Sequence, residues 1–257
     1  LFLALRGDRF DGHDFVDRAL EGGAKGFVVA ADRADALASM PEDVVVIAVG
    51  DTLHALGRVA NFRRRLHGVP LVAITGSNGK TSTKELLAAL LMSQGEVLKT
   101  PENHNNQVGV PLTLLELTAR HRYAVIELGT SEPGEIAKLA AIAEPDVGVI
   151  TNVAPVHTEG LGDVEGVAVE KGALFEALPA RGAAVVNLDD PQCVAQAGRS
   201  KARRVTFGEA EAADVRIEEY RFGSRTPCVS GVATFEGESF GFDTHLVGFH
   251  QVRNAAA

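Results

Sequence analysis

The stretch LVAITGSNGKTSTKELLAALLMSQG, residues 71–95, constrains the fold more than any other. Five mostly apolar residues run without a spacer into GSNGKTS, and then into a leucine-rich run with helical spacing. A strand, a glycine turn and a helix in that order open a parallel α/β unit, because the helix carries the chain back for the next parallel strand. Further short apolar runs, YAVIEL, VGVIT and AAVVNL, alternate with the helix-like segments GVPLTLLELTA, GEIAKLAAIA and DVEGVAVEKGALFEAL. Strands that are apolar on both faces belong to a sheet covered by helices on both sides. Ligands of such sheets bind beyond the C-terminal ends of the strands. From about residue 203 the rhythm changes. RRVTF, DVRIEEYRF, CVSGVATFE and ESFGFDTHLV read as short strands joined by turns, an antiparallel extension of the same domain.

Ahead of this region, LFLAL and DVVVIAV read as strands, KGFVVA as a short apolar run between them, and HDFVDRALEGGA and TLHALGRVANFRRRL as helices. HGVP then punctuates the chain. The expected architecture is α/β. A small N-terminal α/β domain occupies residues 1–68, and a phosphate-loop domain with a mostly parallel sheet and an antiparallel extension occupies residues 69–257. The chain opens at Leu1 inside an apolar run and closes on NAAA, which reads as the opening of a helix, so a fragment cut at both ends is expected.

The loop itself suits an anion. Gly76 and Gly79 permit tight turns and close approach of a ligand. Ser77, Asn78, Thr81 and Ser82 lie in a run of backbone N–H groups that leads into a helix N-terminus, where donors are unpaired and the dipole is positive. Lys80 supplies a mobile cation for β/γ phosphates, and Thr81 a hydroxyl for Mg²⁺. The strict GxxxxGK[ST] pattern fails, since Ile74 stands where its first glycine belongs. The alternative is a plain glycine-rich turn with a solvated Lys80; the position between strand and helix favours the cradle.

Phosphoryl chemistry needs Mg²⁺, which takes oxygen ligands. Glu127 ends the apolar run YAVIE, at the active edge of this fold class, or else is a capping or ion-paired carboxylate. His157 follows the run VGVIT and is either a metal ligand or a packed loop histidine. Glu135 and Glu159 are weaker candidates. Lys171 lies among small and apolar residues on a helix-like segment, where composition favours a snorkelling surface lysine. The loop TPENHNNQVG crowds Asn103, Asn105 and Asn106 between a strand and a helix, as a recognition loop or a simple cap.

Composition excludes several classes. With 34 acidic and 25 basic residues, a net charge of −9 argues against a nucleic-acid footprint. The one basic run, Arg63–Arg65, reads as the coat of a helix near a domain junction. Two cysteines, Cys193 and Cys228, are too few for a disulfide scaffold or a zinc site. No apolar span is long enough for a membrane and no secretory segment is visible, so a cytoplasmic, membrane-free protein is expected.

Taken together, LFLALRGDRFDGHDFVDRALEGGAKG, AITGSNGKTSTKE, NHNNQVGVPLTLLEL, YAVIELGTSEPGEIAKL, TNVAPVHTEGLG and EKGALFEAL resemble the ATP-dependent Mur ligases of bacterial peptidoglycan synthesis. The resemblance implies three domains: one that helps bind a UDP-sugar, one that binds ATP, and a Rossmann-like third that closes over it. This chain carries an incomplete first, most of the second and none of the third. The resemblance implies a monomer with ATP and Mg²⁺ as cofactors. Its substrates are UDP-N-acetylmuramoyl-tripeptide and D-alanyl-D-alanine, joined through an acyl phosphate. It places Lys80 on the phosphates and Thr81 near their Mg²⁺. It makes Glu127 and His157 metal ligands and Lys171 a lysine carboxylated by CO₂ that helps bind a second Mg²⁺. Asn105, Asn106 and Asn152 match polar positions around the phosphates and the acceptor substrate. Asn254 matches an adenine-side asparagine, whereas Phe249 and Gln251 replace the arginine and asparagine usual there. The rival readings are another Mur or folylpolyglutamate-type amide ligase, or a nucleotide-binding protein without ligation.

Overall fold

A computed structural model describes residues 1–7, 9–37, 40–156, 158–222, 228–244 and 249–257. The N-terminal part holds β1 (Phe2–Leu3), α1 (Val16–Glu21), β2 (Gly26–Ala30), β3 (Val45–Val49) and α2 (Thr52–His67). Its three strands pair in parallel in the order β1-β2-β3. Ala4, Val16, Phe27 and Val29 form their core. Only two residues of LFLAL are strand, because the chain folds back at once: Gly12 N–H donates to Leu5 O at 2.7 Å. A Cβ on Gly12 would stand 2.7 Å from that same backbone, so the turn requires glycine. His13 locks it, donating to Asp11 through Nδ1 and accepting the Ala30 N–H on Nε2 at 2.9 Å.

The central part runs β4 (Leu71–Thr75), α3 (Lys80–Leu91), β5 (Glu96–Lys99), α4 (Gly109–Leu115), β6 (His121–Glu127), α5 (Glu135–Ala143) and β7 (Val147–Ile150). It continues with α6 (Thr158–Leu161), α7 (Val164–Glu176), β8 (Ala183–Asn187), α8 (Pro191–Ala197) and β9 (Arg203–Gly208). It ends with β10 (Val215–Phe222), β11 (Val229–Phe235), β12 (Glu238–Thr244) and α9 (Phe249–Ala256). These strands make one sheet in the order β12-β11-β10-β9-β8-β7-β4-β6-β5. From β5 to β9 every pairing is parallel. The antiparallel extension starts later than residue 203. β9 follows a helical crossover, so it joins β8 in parallel, and β10 pairs with it in the same sense. Only β10-β11-β12 are antiparallel.

Alternation along the strands builds two cores, as a pleat of period two demands. Leu71, Ala73, Ala124 and Ile126 meet Val110, Leu114, Ile136 and Leu139 of α4 and α5 on one face. Val72, Ile74, Val125 and Val149 meet Leu87, Ala88 and Leu91 of α3 on the other. The inward stripe of α3 is therefore the buried Lys84 and Ala88 with the partly buried Leu87 and Leu91, and Leu90 on the far side is 70% exposed.

The basic run does more than coat α2. Asn61 Nδ2 donates to Ile142 O at 2.9 Å, Arg63 Nε to Leu117 O at 2.7 Å, and Arg64 Nε to Ala143 O at 2.9 Å. These carbonyls lie at or just beyond the ends of α4 and α5, where helical partners run out. Arg64 is 6% exposed and also reaches Asp146 at 3.0 Å, while Arg65 pairs with Glu144. The last helix of the N-terminal part is thus fastened to the central helices.

Candidate active site

β4 lies between β6 and β7, so the chain leaves its C-terminal end first to one side and later to the other. That end is a switch point, where an open cleft is expected. The glycine loop sits there. Gly76 has φ +150° and Gly79, which caps α3, has φ +84°. A Cβ on Gly76 would fall 1.9 Å from Thr151 Oγ1, and one on Gly79 would fall 2.2 Å from Asn254 Oδ1. The end of β7 and helix α9 press on the loop from two sides and leave room for glycine alone.

The first half of the loop is bonded from behind. Ser77 N–H donates to Asn152 O at 2.9 Å, and Asn78 N–H to Asn152 Oδ1 at 3.1 Å. Asn152 Nδ2 and Thr151 Oγ1 donate to Asn78 O at 2.9 and 2.6 Å. The Asn152 amide therefore uses one donor and one acceptor to hold the loop. In the second half, the N–H groups of Gly79, Lys80, Thr81 and Ser82 have no acceptor among the described residues. Four neighbouring donors at the N-terminus of a 12-residue helix make an anion site. Lys80 Nζ folds back over the turn to Gly76 O at 2.9 Å. Burial pulls its pKa down, partly opposed by the charge of Glu127.

Glu127 closes β6 with its carboxylate only 2% exposed. Oε2 accepts from Thr81 Oγ1 at 2.9 Å and Oε1 from Asn105 Nδ2 at 2.8 Å. Thr81, Glu127 and Asn105, singled out separately in the sequence, form one cluster. Asn106 does not join it. Its Oδ1 accepts from Val108 and Gly109 N–H at 3.1 and 2.9 Å, capping the start of α4. Glu135 accepts from Ser131 and Glu132 N–H and from Gln107, so it serves its own turn, and Glu159 is exposed. His157 lies outside the described residues, as do residues 245–248 ahead of α9.

Lys171 corrects the compositional reading. It is 2% exposed, not a surface lysine, and makes no hydrogen bond or ion pair among the described residues. Burial, and then the charge of Lys80, pulls its pKa down to about 8. The charge of its neighbour Glu170, which accepts the N–H groups of Gly134 and Ile136 at 2.6 and 2.7 Å, opposes this shift. On α9, Asn254 Nδ2 donates to Gln251 Oε1 at 3.0 Å, and both residues are nearly buried.

Sequence reading missed Lys84, Thr100 and Thr151. Thr100 Oγ1 accepts the Glu127 N–H at 2.9 Å, and Lys84 lies fully buried 3.9 Å from Glu127 Oε2. The signal for Lys84 was its place one turn beyond Lys80 on the same helix face. A groove of about 940 Å³ opens between α2, α5 and α7, lined by Arg64, Asp146, Glu176 and Arg181, but it contains none of the loop residues.

These residues fit a magnesium-bound polyphosphate. The Thr81 hydroxyl and Glu127 carboxylate are adjacent hard oxygens of the kind Mg²⁺ selects, beside donors that suit phosphate. The described residues hold no cluster of three or more His, Cys, Asp or Glu.

Residues 74–257 match the Mur ligase middle domain and residues 1–64 the Mur ligase family catalytic domain. The UDP-N-acetylmuramoyl-tripeptide–D-alanyl-D-alanine ligase of Escherichia coli strain K12 is 44% identical over 190 residues, 74% of this chain and 40% of its own length. MurF from Acinetobacter baumannii superposes with a TM-score of 0.89 at 32% identity, over 99% of this chain and 54% of that one. The MurF ligase of Thermotoga maritima, solved in complex with ADP, gives 0.85 at 30% identity, over 99% of this chain and 57% of that one. The chain spans about half the length of these relatives. On sequence over both segments and on fold along its whole length, the chain belongs to the Mur ligase family.

Proposed function

We propose that the protein carrying this chain joins D-alanyl-D-alanine to UDP-N-acetylmuramoyl-tripeptide at the expense of ATP. One observation carries the reading. A single sheet edge gathers four acceptor-free N–H groups, the Thr81–Glu127–Asn105 cluster and a loop clasped by Asn152 and Asn254. The 44% identity to a ligase of that name supports this choice of substrates. Residues 1–68 would serve the UDP-sugar and residues 69–257 the nucleotide. A cytoplasmic monomer without nucleic-acid or membrane partners completes the proposal; no described helix is long and apolar enough to cross a membrane.

The N–H groups of Gly79–Ser82 bind phosphate oxygens, and Lys80 exchanges its bond to Gly76 O for one to the phosphates. The terminal carboxylate of the tripeptide attacks the γ-phosphorus; an O–P bond forms, and the bridging bond breaks to release ADP. The amine of D-alanyl-D-alanine then attacks the acyl carbon, phosphate departs with the bonding electrons, and the amine proton passes to solvent. Mg²⁺ held by Thr81, Glu127 and His157, with a second Mg²⁺ that a carboxylated Lys171 would help bind, would offset the phosphate charge that otherwise repels the carboxylate. Carboxylation needs the neutral amine: its nitrogen adds to CO₂ and one proton leaves. The lowered pKa of Lys171 provides that form near neutral pH. Asn105 orients the Glu127 carboxylate, and Asn152 and Asn254 keep the loop in place.

The test is ADP release by the intact protein supplied with ATP, Mg²⁺ and a panel of acceptors and amino components. Release is expected only with UDP-N-acetylmuramoyl-tripeptide and D-alanyl-D-alanine together. Release that ignores the dipeptide, or that follows another amino component, overturns the assignment.

A further inference from the structure

Among the described residues, Lys84 is the one fully buried cation whose charge the proposed chemistry does not use. Its Nζ donates to Thr100 O at 2.7 Å, stands 3.2 Å from Glu85 Oε1 and lies 3.9 Å from Glu127 Oε2. Thr100 is itself completely buried and is bonded on both its carbonyl and its hydroxyl. It follows β5, opens the asparagine loop, and accepts the Glu127 N–H on its hydroxyl. Glu85 is 46% exposed and shared with Lys99, so it offers Lys84 only part of a counter-charge. The carboxylate of Glu127 receives only neutral donors besides, Thr81 and Asn105. A buried charge without a compensating partner is costly; among the described residues Lys84 is the cation within 4 Å of Glu127, and it shares its own charge with the half-exposed Glu85.

We propose that Lys84 is a positioning residue and an internal counter-ion. It balances Glu127 when no divalent cation is bound, and it ties that carboxylate to the first residue of the asparagine loop. The proposal rests on Glu127 as the cation-side carboxylate of the proposed ligase. It adds a link from α3 that couples cation binding to the placement of Asn105. Geometry gives the reason. Lys84 is one helical turn beyond Lys80, so one face of α3 presents one lysine to the phosphate loop and the next to the carboxylate beneath it. Because the Lys84 charge repels a divalent cation, Glu127 is expected to recruit Mg²⁺ only weakly until a nucleotide brings further oxygens.

The experiment needs neither ATP nor ligase substrates, so its failure is separate from failure of the functional reading. K84M, E127Q and the double variant are compared in the intact protein by thermal denaturation, and by titration with Mg²⁺ alone. K84M is expected to lower the melting temperature and E127Q to restore most of the loss, because the uncompensated carboxylate is gone. K84M is also expected to respond to Mg²⁺ at a midpoint about tenfold below that of wild type, because a positive charge that competes with the cation for the carboxylate is gone. The double variant is expected to lose that response. If K84M does not fold, rescue of folding by E127Q is the expected result. K84Q, which drops the charge and keeps a donor, provides the same comparison. Additive losses with an unchanged Mg²⁺ midpoint, or failure of E127Q to rescue either variant, overturns the proposal and leaves Lys84 a packing residue.

Discussion

Replacing Gly79 by alanine tests how the phosphate loop is held. Two costs are separable. At φ +84° an L-residue pays for the left-handed conformation, about 1–2 kcal/mol. The new Cβ also meets Asn254 Oδ1 at 2.2 Å, and Asn254 is 5% exposed and bonded to Gln251. Moving it adds about 1–3 kcal/mol of overpacking. The total is about 2–5 kcal/mol, or roughly 4–20 °C in melting temperature for a chain of this size. Gly237 is the control: it has the same φ of +84° and nothing within 4 Å of its Cβ position. Urea denaturation of G79A, G237A and G79A/N254A isolates the contact. G237A is expected to show the conformational cost alone, G79A to exceed it, and removal of the Asn254 side chain to recover part of the excess. Equal losses in G79A and G237A would refute the claim that α9 presses on the loop.

Three further outcomes follow from the same contacts. R64L removes a buried guanidinium that serves Ala143 O, Glu144 O and Asp146, and should cost about 3–5 kcal/mol in urea unfolding; a loss below about 1 kcal/mol would deny its part in fastening α2 to α5. Lys171 has a depressed pKa of about 8 against 10.5, so between those values the unfolded chain binds more protons and stability rises with pH. In CO₂-depleted buffer, wild type should therefore gain roughly 3 kcal/mol on K171M between pH 7 and 10.5, and a pH-independent difference would contradict this. T81V removes the hydroxyl that faces Glu127 and should weaken nucleotide binding about 10–100-fold with Mg²⁺ present and much less with chelator, as read by calorimetry.

Much of this site is local in sequence, and so it was legible. The strand, glycine loop and helix of residues 71–91 adjoin one another, and Glu127 betrays itself by ending an apolar run. What stayed hidden depends on distant residues meeting. Nothing near Gly79 announces that Asn254, 175 positions later, fills its empty side, though the resemblance did place Asn254 at the nucleotide. Asn106 and Asn152 read as ligand-facing because asparagine donates and accepts; what no local pattern shows is that Asn106 Oδ1 also caps the start of α4 and the Asn152 amide clasps Asn78. Lys171 sits in an unremarkable helical stretch, and only the packing of α7 against α5 and α8 buries it. The antiparallel extension was expected one strand early because β9 is polar at its start and leads into strands joined by turns, yet α8 delivers it in parallel. The basic run looked like a solvated coat since its acceptors are carbonyls at the ends of other helices, which no local pattern reveals.

The most direct measurement is a crystal structure of the protein with ADP and Mg²⁺. The expected density puts a phosphate within hydrogen-bonding distance of the N–H groups of Gly79–Ser82, with the cation on Thr81 Oγ1 and Glu127. Nucleotide bound elsewhere while those N–H groups face water, or a cation that leaves Glu127 bonded only to Thr81 and Asn105, would contradict it.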